Sequence, residues 1–273
     1  MSRIVCQFSC GAASAVATKL ALAQYRDTHE VVIVNAEIVE EHPDNRRFLA
    51  DCEGWFGRPI TVLRDKKYGA STRALFRKRR YLKGRRGAPC SLALKRELLA
   101  TYEQPGDTLV LGYTAEEQGR FDDWIDANNH KRAIAPLIEA KLGKADVLAM
   151  VERAGLDLPA MYRMGYHNAN CIGCVKGGAG YWNKIRRDFP DDFEEMAQIE
   201  QSIGPGARLL RHRAGPLIGQ RFYLHELDPN SGRYDEEPDI SCSAQCEFVE
   251  GSSQWQELSE LMTSTAQEEG ELT

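Results

Sequence analysis

Five of the eight cysteines sit where thiols could do chemistry. Cys171 and Cys174 form a C-x-x-C in a glycine-bearing loop, Cys90 opens a predicted helix after Ala88 and Pro89, and Cys242 and Cys246 form a C-x-x-x-C near the end. Two thiolates at C-x-x-C spacing reach one metal or cluster. The pair serves equally as a redox couple, half a zinc site or half an iron–sulfur site, and spacing does not separate these. A helix N-terminus lowers the pKa of a thiol placed as Cys90 is and favours the thiolate. A structural zinc would take Cys171, Cys174, Cys242 and Cys246 and leave Cys90 outside. Cys6, Cys10 and Cys52 read as small packing residues rather than ligands.

A second signal lies in "FSCGAASAVATKLAL", residues 8–22. An apolar run, "RIVCQF", stops where it begins, and Ala15, Val16, Leu20 and Leu22 then fall on helical spacing. A tight turn from strand into helix leaves backbone N–H groups without helical partners, and these attract phosphate together with the positive end of the helix dipole. Small residues let oxygens reach that backbone, while Ser9 and Ser14 carry hydroxyls able to donate. The dinucleotide pattern GxGxxG and the Walker pattern GxxxxGKS are both absent, so the alternative is a strand–helix junction without a ligand. In "GYTAEEQGR" (112–120), Glu116, Glu117 and Arg120 lie within about one helical turn. Arg120 could clamp a phosphate and a glutamate could hold Mg²⁺ or a ribose hydroxyl. The structural alternative is that acids in a first helical turn complement its dipole.

These residues need a scaffold, and the chain alternates. "RIVCQF" (3–8), "HEVVIVNA" (29–36), "PITVLRD" (59–65) and "DTLVLGY" (107–113) read as strands. Predicted helices lie between them at roughly 14–25, 44–56, 71–82 and 90–102. Strands apolar on both faces, alternating with amphipathic helices, imply a doubly wound parallel α/β sheet covered on both sides. After "AIAPLI" (133–138) the pattern changes: "KADVLAMVERAGL" predicts one more helix, and 159–190 reads as irregular. The expected organisation is a nucleotide-binding α/β domain over 1–155, a loop-rich cysteine module over 156–246, and an acidic, flexible tail over 247–273. In that module "RHRAGPLIGQRFYLHEL" (211–227) is expected to form a small β element returning Cys242 and Cys246 to the C-x-x-C.

With 273 residues, 42% hydrophobic and 27% charged, the composition is that of an ordinary globular protein. No run of 18 apolar residues suggests a membrane span. The start lacks the pattern of a signal peptide, so a cytoplasmic location and reduced cysteines are expected. The net charge of −5 is uneven, because residues 247–273 hold seven glutamates and no Lys or Arg, leaving 35 bases against 33 acids elsewhere. Against that near-neutral background, "RALFRKRRYLKGRRG" (73–87) concentrates eight Lys or Arg with Phe76 and Tyr81 interleaved. Arg77, Lys78, Arg79 and Arg80 are the candidate nucleic-acid contacts, the alternative being a solvated helix face and a basic loop. His42 and His167 are candidates for proton transfer or for simple hydrogen bonding.

"SCGAASAVA" resembles the phosphate-gripping PP-loop of the adenine-nucleotide α-hydrolase superfamily, and within it the phosphoadenosine phosphosulfate (PAPS) reductase family with its phage-encoded relatives. The resemblance continues through "NAEIVEEHPDNRRFLADCEGWFG", "CSLALKRELL", "GYTAEEQGR", "PLIEAKLGKADV" and "NCIGCVKGG", covering about residues 3–190. It implies a HUP-like fold with ATP, or PAPS or adenylylsulfate (APS), across the first strand–helix turn, held by Ser9, Cys10, Gly11, Ala12, Ala13, Ser14, Asn35 and Gly112. It implies Glu117, Arg120 and Cys90 as catalytic residues. It favours a [4Fe–4S] cluster on Cys90, Cys171 and Cys174, with Zn²⁺ as the alternative and Cys242 and Cys246 as less certain ligands. Three cysteines leave one iron open to substrate or sulfide.

The chain departs from the family in three places. Ala13 stands where the pyrophosphatase branch has an aspartate, which puts the Mg²⁺-assisted step in doubt or on another acid. No ECGLH-like motif follows, and Cys90 is preceded by proline where APS reductases have a double cysteine. The expectation is therefore an ATP-using enzyme that adenylylates a substrate for sulfur transfer, with tRNA or DNA favoured and a sulfur donor or reductant protein as partner. A thiol-dependent PAPS/APS reductase and a non-catalytic, zinc-stabilised binding protein are the alternatives, and a homodimer is left open.

Overall fold

The computed structural model describes residues 3–84 and 87–240. Cys242, Cys246, the acidic tail and Arg85 and Arg86 of the basic strip lie outside them. Five parallel strands form one sheet in the order β3-β2-β1-β4-β5: β1 (Arg3–Gln7), β2 (Glu30–Ala36), β3 (Ile60–Leu63), β4 (Thr108–Val110) and β5 (Arg132–Ile134). This is the Rossmann- and HUP-like doubly wound arrangement. The strand order reverses between β1 and β4, which makes a crevice beyond their carboxyl ends.

Alternation along the central strands explains the two covered faces. Ile4 and Cys6 of β1, with Val31 and Ile33 of β2, point into a core shared with α1 (Ala12–Tyr25), α2 (Asp44–Phe56) and α7 (Lys144–Arg153). Val5 and Val34 point to the other side, against Leu109, Leu111, Tyr113, Trp124 of α5 (Gln118–Ala127) and Leu99 of α4 (Glu97–Ala100). Between α3 (Thr72–Arg79) and α4, the helix after Cys90 runs as a π-helix over Ser91–Arg96. Among the described residues no helix is long and apolar enough to cross a membrane.

The sequence reading needs two corrections here. Residues 132–134 are a fifth strand, too short at three residues to show alternation and closed off by Pro136 at the start of α6 (Pro136–Glu139). The stretch 159–190 is irregular over 164–178, as expected, but it also holds α8 (Ala160–Arg163) and α9 (Ala179–Asp188), and α10 (Pro190–Ile203) begins at its end. Gly178 and Gly180 obscured α9, whose Tyr181, Trp182 and Ile185 are buried. The expected small β element is present as the antiparallel pair β6 (Leu210–Arg211) and β7 (Arg221–Phe222). These C-terminal elements share a core with residues 38–94, including Leu75, Phe76, Leu82 and Leu94.

One core position of α10 is a carboxylate. Phe193, Met196, Ala197 and Glu200 follow helical spacing, and Glu200 is fully buried. It accepts the N–H groups of Leu209 and Leu224, each at 2.6 Å. Burial pushes its carboxyl up from 4.5 to about 7, against the opposing pull of those two bonds. The folded state therefore binds this proton more tightly, and the resulting stabilisation is complete below pH 4.5 and lost as pH rises to about 7. At about 1.4 kcal/mol per tenfold in proton affinity, roughly 3 kcal/mol of unfolding free energy should disappear over that window. Denaturant melts of Glu200→Gln should lack this slope; an unchanged slope would place its origin elsewhere.

Candidate nucleotide and thiol site

A cleft of about 620 Å³ opens at the carboxyl ends of β1, β2 and β4. Ser9, Gly11, Ala12, Ala13, Ser14, Gly112, Glu117 and Arg120 all line it, so eight of the residues singled out from two separate sequence motifs meet in one place. Gly11 is the N-cap of α1 with extended backbone, and no acid lies in the first turn. The helix thus presents its positive end to the cleft with no carboxylate of its own to cancel it.

The turn is held from behind. Cys10 is buried with φ at +57°, and burial pushes its thiol well above the usual range. Asn35, also buried, donates to the Phe8 carbonyl at 2.9 Å and lies 3.6 Å from the Cys10 sulfur. These two residues shape the turn from inside rather than line the cleft. The Ser14 hydroxyl donates to the Gly11 carbonyl at 2.9 Å and accepts from the Ser9 N–H and hydroxyl at 3.1 and 3.2 Å. It fixes the loop, while Ser9 remains exposed at the cleft. Cys6 and Cys52, both buried, have thiols pushed up to about 12, which suits packing rather than chemistry.

The loop after β4 lies directly on this turn. A β-carbon at Gly112 would stand 2.9 Å from both the backbone nitrogen and Cα of Ser14. Neither atom can rotate away, so glycine is what permits the two loops to meet. Beyond it, the Thr114 N–H and hydroxyl donate to Glu117 at 3.1 and 3.2 Å, and Arg120 pairs with the other Glu117 oxygen. Arg120 also stacks over Tyr113 at 5.5 Å. Glu116 accepts the Lys144 N–H at 3.1 Å, capping α7. Glu116 therefore complements α7 rather than the turn it sits in, and it lines the cleft beside Glu117 and Arg120.

The structure also brings in residues that the motifs did not flag. Tyr162 approaches the first turn of α1, its hydroxyl accepting the Ala12 N–H at 3.4 Å. Lys95 comes from the π-helix and pairs with Glu41 at 3.4 Å. Lys144, Asn168, Asn170, Asp239 and Ile240 complete the wall. Lys95, Lys144 and Asn170 fall in stretches already quoted, but their residue types alone did not single them out.

Cys171 and Cys174 are buried in the C-terminal core, and Cys90 packs against the same cluster. The buried Tyr181 hydroxyl accepts the Cys174 N–H at 2.8 Å and donates to the Cys171 carbonyl at 3.1 Å, pinning the C-x-x-C turn. Gly173, with φ at +74°, makes that turn possible. Among the described residues no three His, Cys, Asp or Glu side chains are disposed around one metal ion. Cys171, Cys174 and the partly buried Cys90 belong to one hydrophobic cluster, and three thiolates are the ligand type an iron–sulfur group takes. Ala169 and Asn170, immediately before Cys171, line the same cleft.

The described part of the basic strip is exposed at Arg77, Lys78 and Arg80, and four of its arginines also make contacts within the chain. Arg73 pairs with Asp192 and Glu195 of α10, and Arg77 reaches Glu195 at 2.6 Å. Arg79 donates to the Tyr68 hydroxyl at 2.9 Å, and Arg80 donates to the Ser202 and Ile203 carbonyls at the end of α10. Lys78 is exposed. The Arg73, Arg77 and Arg80 contacts staple the α3 region to α10, and none of them adds support for nucleic acid. His42 accepts the Asp44 N–H at 3.1 Å, and His167 pairs with Asp239 at 2.9 Å.

Comparison of the chain with protein-family models and with curated proteins finds no match.

Proposed function

We propose that the chain is an ATP-using enzyme that adenylylates an oxygen of its acceptor and prepares that position for sulfur. The observation that carries this reading is the cleft at the β1–β4 switch point, floored by the acid-free first turn of α1 and closed by Gly112. The first-turn N–H groups and the helix dipole would hold the phosphates. Arg120, already oriented by Glu117 and Tyr113, would share charge with them as the α-phosphorus is attacked. An acceptor oxygen would form the new P–O bond as the bond to pyrophosphate breaks. A sulfur nucleophile would then form the bond to the acceptor carbon as its bond to the adenylylated oxygen breaks, and AMP would leave.

Mg²⁺ in such sites retains water and takes phosphate oxygens with one or two carboxylates, so without an aspartate at Ala13 the carboxylates available on the cleft wall are Glu116, Glu117 and Asp239. Cys90, Cys171 and Cys174 would hold an iron–sulfur cluster, which when bound supplies an open iron for sulfide or substrate. The chain's own contribution there is to exclude water and to fix the C-x-x-C turn through Tyr181.

Anaerobically purified protein incubated with ATP and Mg²⁺ tests the reading. Pyrophosphate–ATP exchange on supplying the acceptor is expected. Sulfite formed from an adenylylated sulfate without ATP would instead make the chain a reductase and overturn the proposal.

A further inference from the structure

Among the described residues three cations line the cleft, and each is paired with a carboxylate: Lys95 with Glu41, Arg120 with Glu117, and Lys144 with Asp239. The first two partners belong to the body of the fold. Glu41 is largely buried between β2 and α2, and Glu117 is locked in the turn that opens α5. Asp239 is different. It lies beyond the last regular element, on the segment 237–240, and its side chain is 46% exposed.

That segment is held as a ligand would be. Glu237 accepts three backbone N–H groups at the start of α9, from Gly178, Gly180 and Tyr181, at 3.2, 2.7 and 3.2 Å. Two residues on, one Asp239 oxygen meets Lys144 and the other meets His167 Nδ1 at 2.9 Å. The Ile240 carbonyl then accepts from the side-chain amides of Asn168 and Asn170 at 3.3 and 2.6 Å. His167 is itself preset. Its backbone N–H donates to the Tyr234 hydroxyl at 2.8 Å, and its ring stacks on Tyr234 at 4.5 Å. Four side chains from two elements thus converge on one carboxylate and one carbonyl at the cleft wall.

We propose that Lys144, His167, Asn168 and Asn170 form an anion subsite for an acidic group of the acceptor, and that Asp239 is its exchangeable internal occupant. The acidic group is a carboxylate or a phosphate or sulfate ester, with a hydrogen-bond acceptor beside it where the Ile240 carbonyl now sits. This rests on the cleft being the reaction site and adds the chemistry of the second substrate. Asp239 also keeps Lys144 neutralised until that substrate arrives, so a partly exposed lysine does not attract stray anions into the cleft.

The test uses the full chain carrying Asp239→Asn, titrated calorimetrically with inorganic sulfate and with acetate. Sulfate, acetate or both should bind at least tenfold more tightly than to the wild type, and the anion with the larger gain identifies the acidic group. Adding Lys144→Met should abolish the gain. Adding Gly11→Val, which crowds the α1 turn, should leave it intact. No gain for either anion, or a gain that survives Lys144→Met, overturns the subsite. A gain lost with Gly11→Val places the anion at the α1 turn, which also overturns the subsite while leaving the nucleotide reading standing. An Asp239→Asn chain that no longer melts cooperatively makes the segment part of the fold rather than an exchangeable occupant, and overturns the proposal.

Discussion

Gly11→Val should lose ATP-dependent thermal stabilisation while keeping its fold. Ligand at a hundredfold its Kd stabilises the folded state by about 2.7 kcal/mol. For a chain of this size that corresponds to a rise in melting temperature of roughly 5–10 °C. The variant should show almost none of it. Gly11 has φ −104° and ψ 156°, a conformation open to any residue. A β-carbon there would stand 3.5 Å from the Tyr162 hydroxyl, an ordinary contact. The fold therefore tolerates the first carbon, and valine's two further methyls occupy space at the lip where phosphate oxygens would approach the N–H groups. A folded variant with an undiminished ATP shift would remove the α1 turn from the site.

The second large effect concerns the thiols. Protein prepared without oxygen should be brown and carry iron and sulfide, and Cys90→Ala should lose them as fully as Cys171→Ala. Cys90 and Cys171 lie some eighty residues apart in sequence but in one apolar cluster, which is why a single group could need both. Under a structural zinc on Cys171 and Cys174, Cys90→Ala should leave metal content unchanged. Colourless protein holding one zinc that survives Cys90→Ala would defeat the cluster assignment. The melting temperature supplies a control, since Cys90 is only partly buried and its truncation removes little packing.

Much of the sheet was legible because it is local. Val5 beside Ile4 and Cys6, or Val34 beside Ile33, makes a short run apolar on both faces that marks a covered strand within a few residues, and the small residues from Ser9 to Ser14 mark the turn without reference to the rest of the chain. What was not legible depends on partners distant in sequence. The charge run at 73–80 gave no sign of its ion pairs, because Asp192 and Glu195 of α10 come from more than a hundred residues away. Glu200 at a core position interrupts the apolar stripe of α10, and only Leu209 and Leu224 explain it. Cys10 and Asn35 sit in the right motif but face inward, a distinction of side-chain direction that residue type does not encode. Asp239 carried no cue in its own neighbourhood, because its meaning lies in Lys144 and His167.

Amide hydrogen exchange of the wild type with and without ATP bears most directly on the central claim that a nucleotide lies across the β1–α1 turn. Slower exchange is expected at the N–H groups of residues 11–15 and again at 112–117, whose backbones approach each other at Gly112 and Ser14. Protection confined to other parts of the chain, or no change at saturating ATP, would contradict the account.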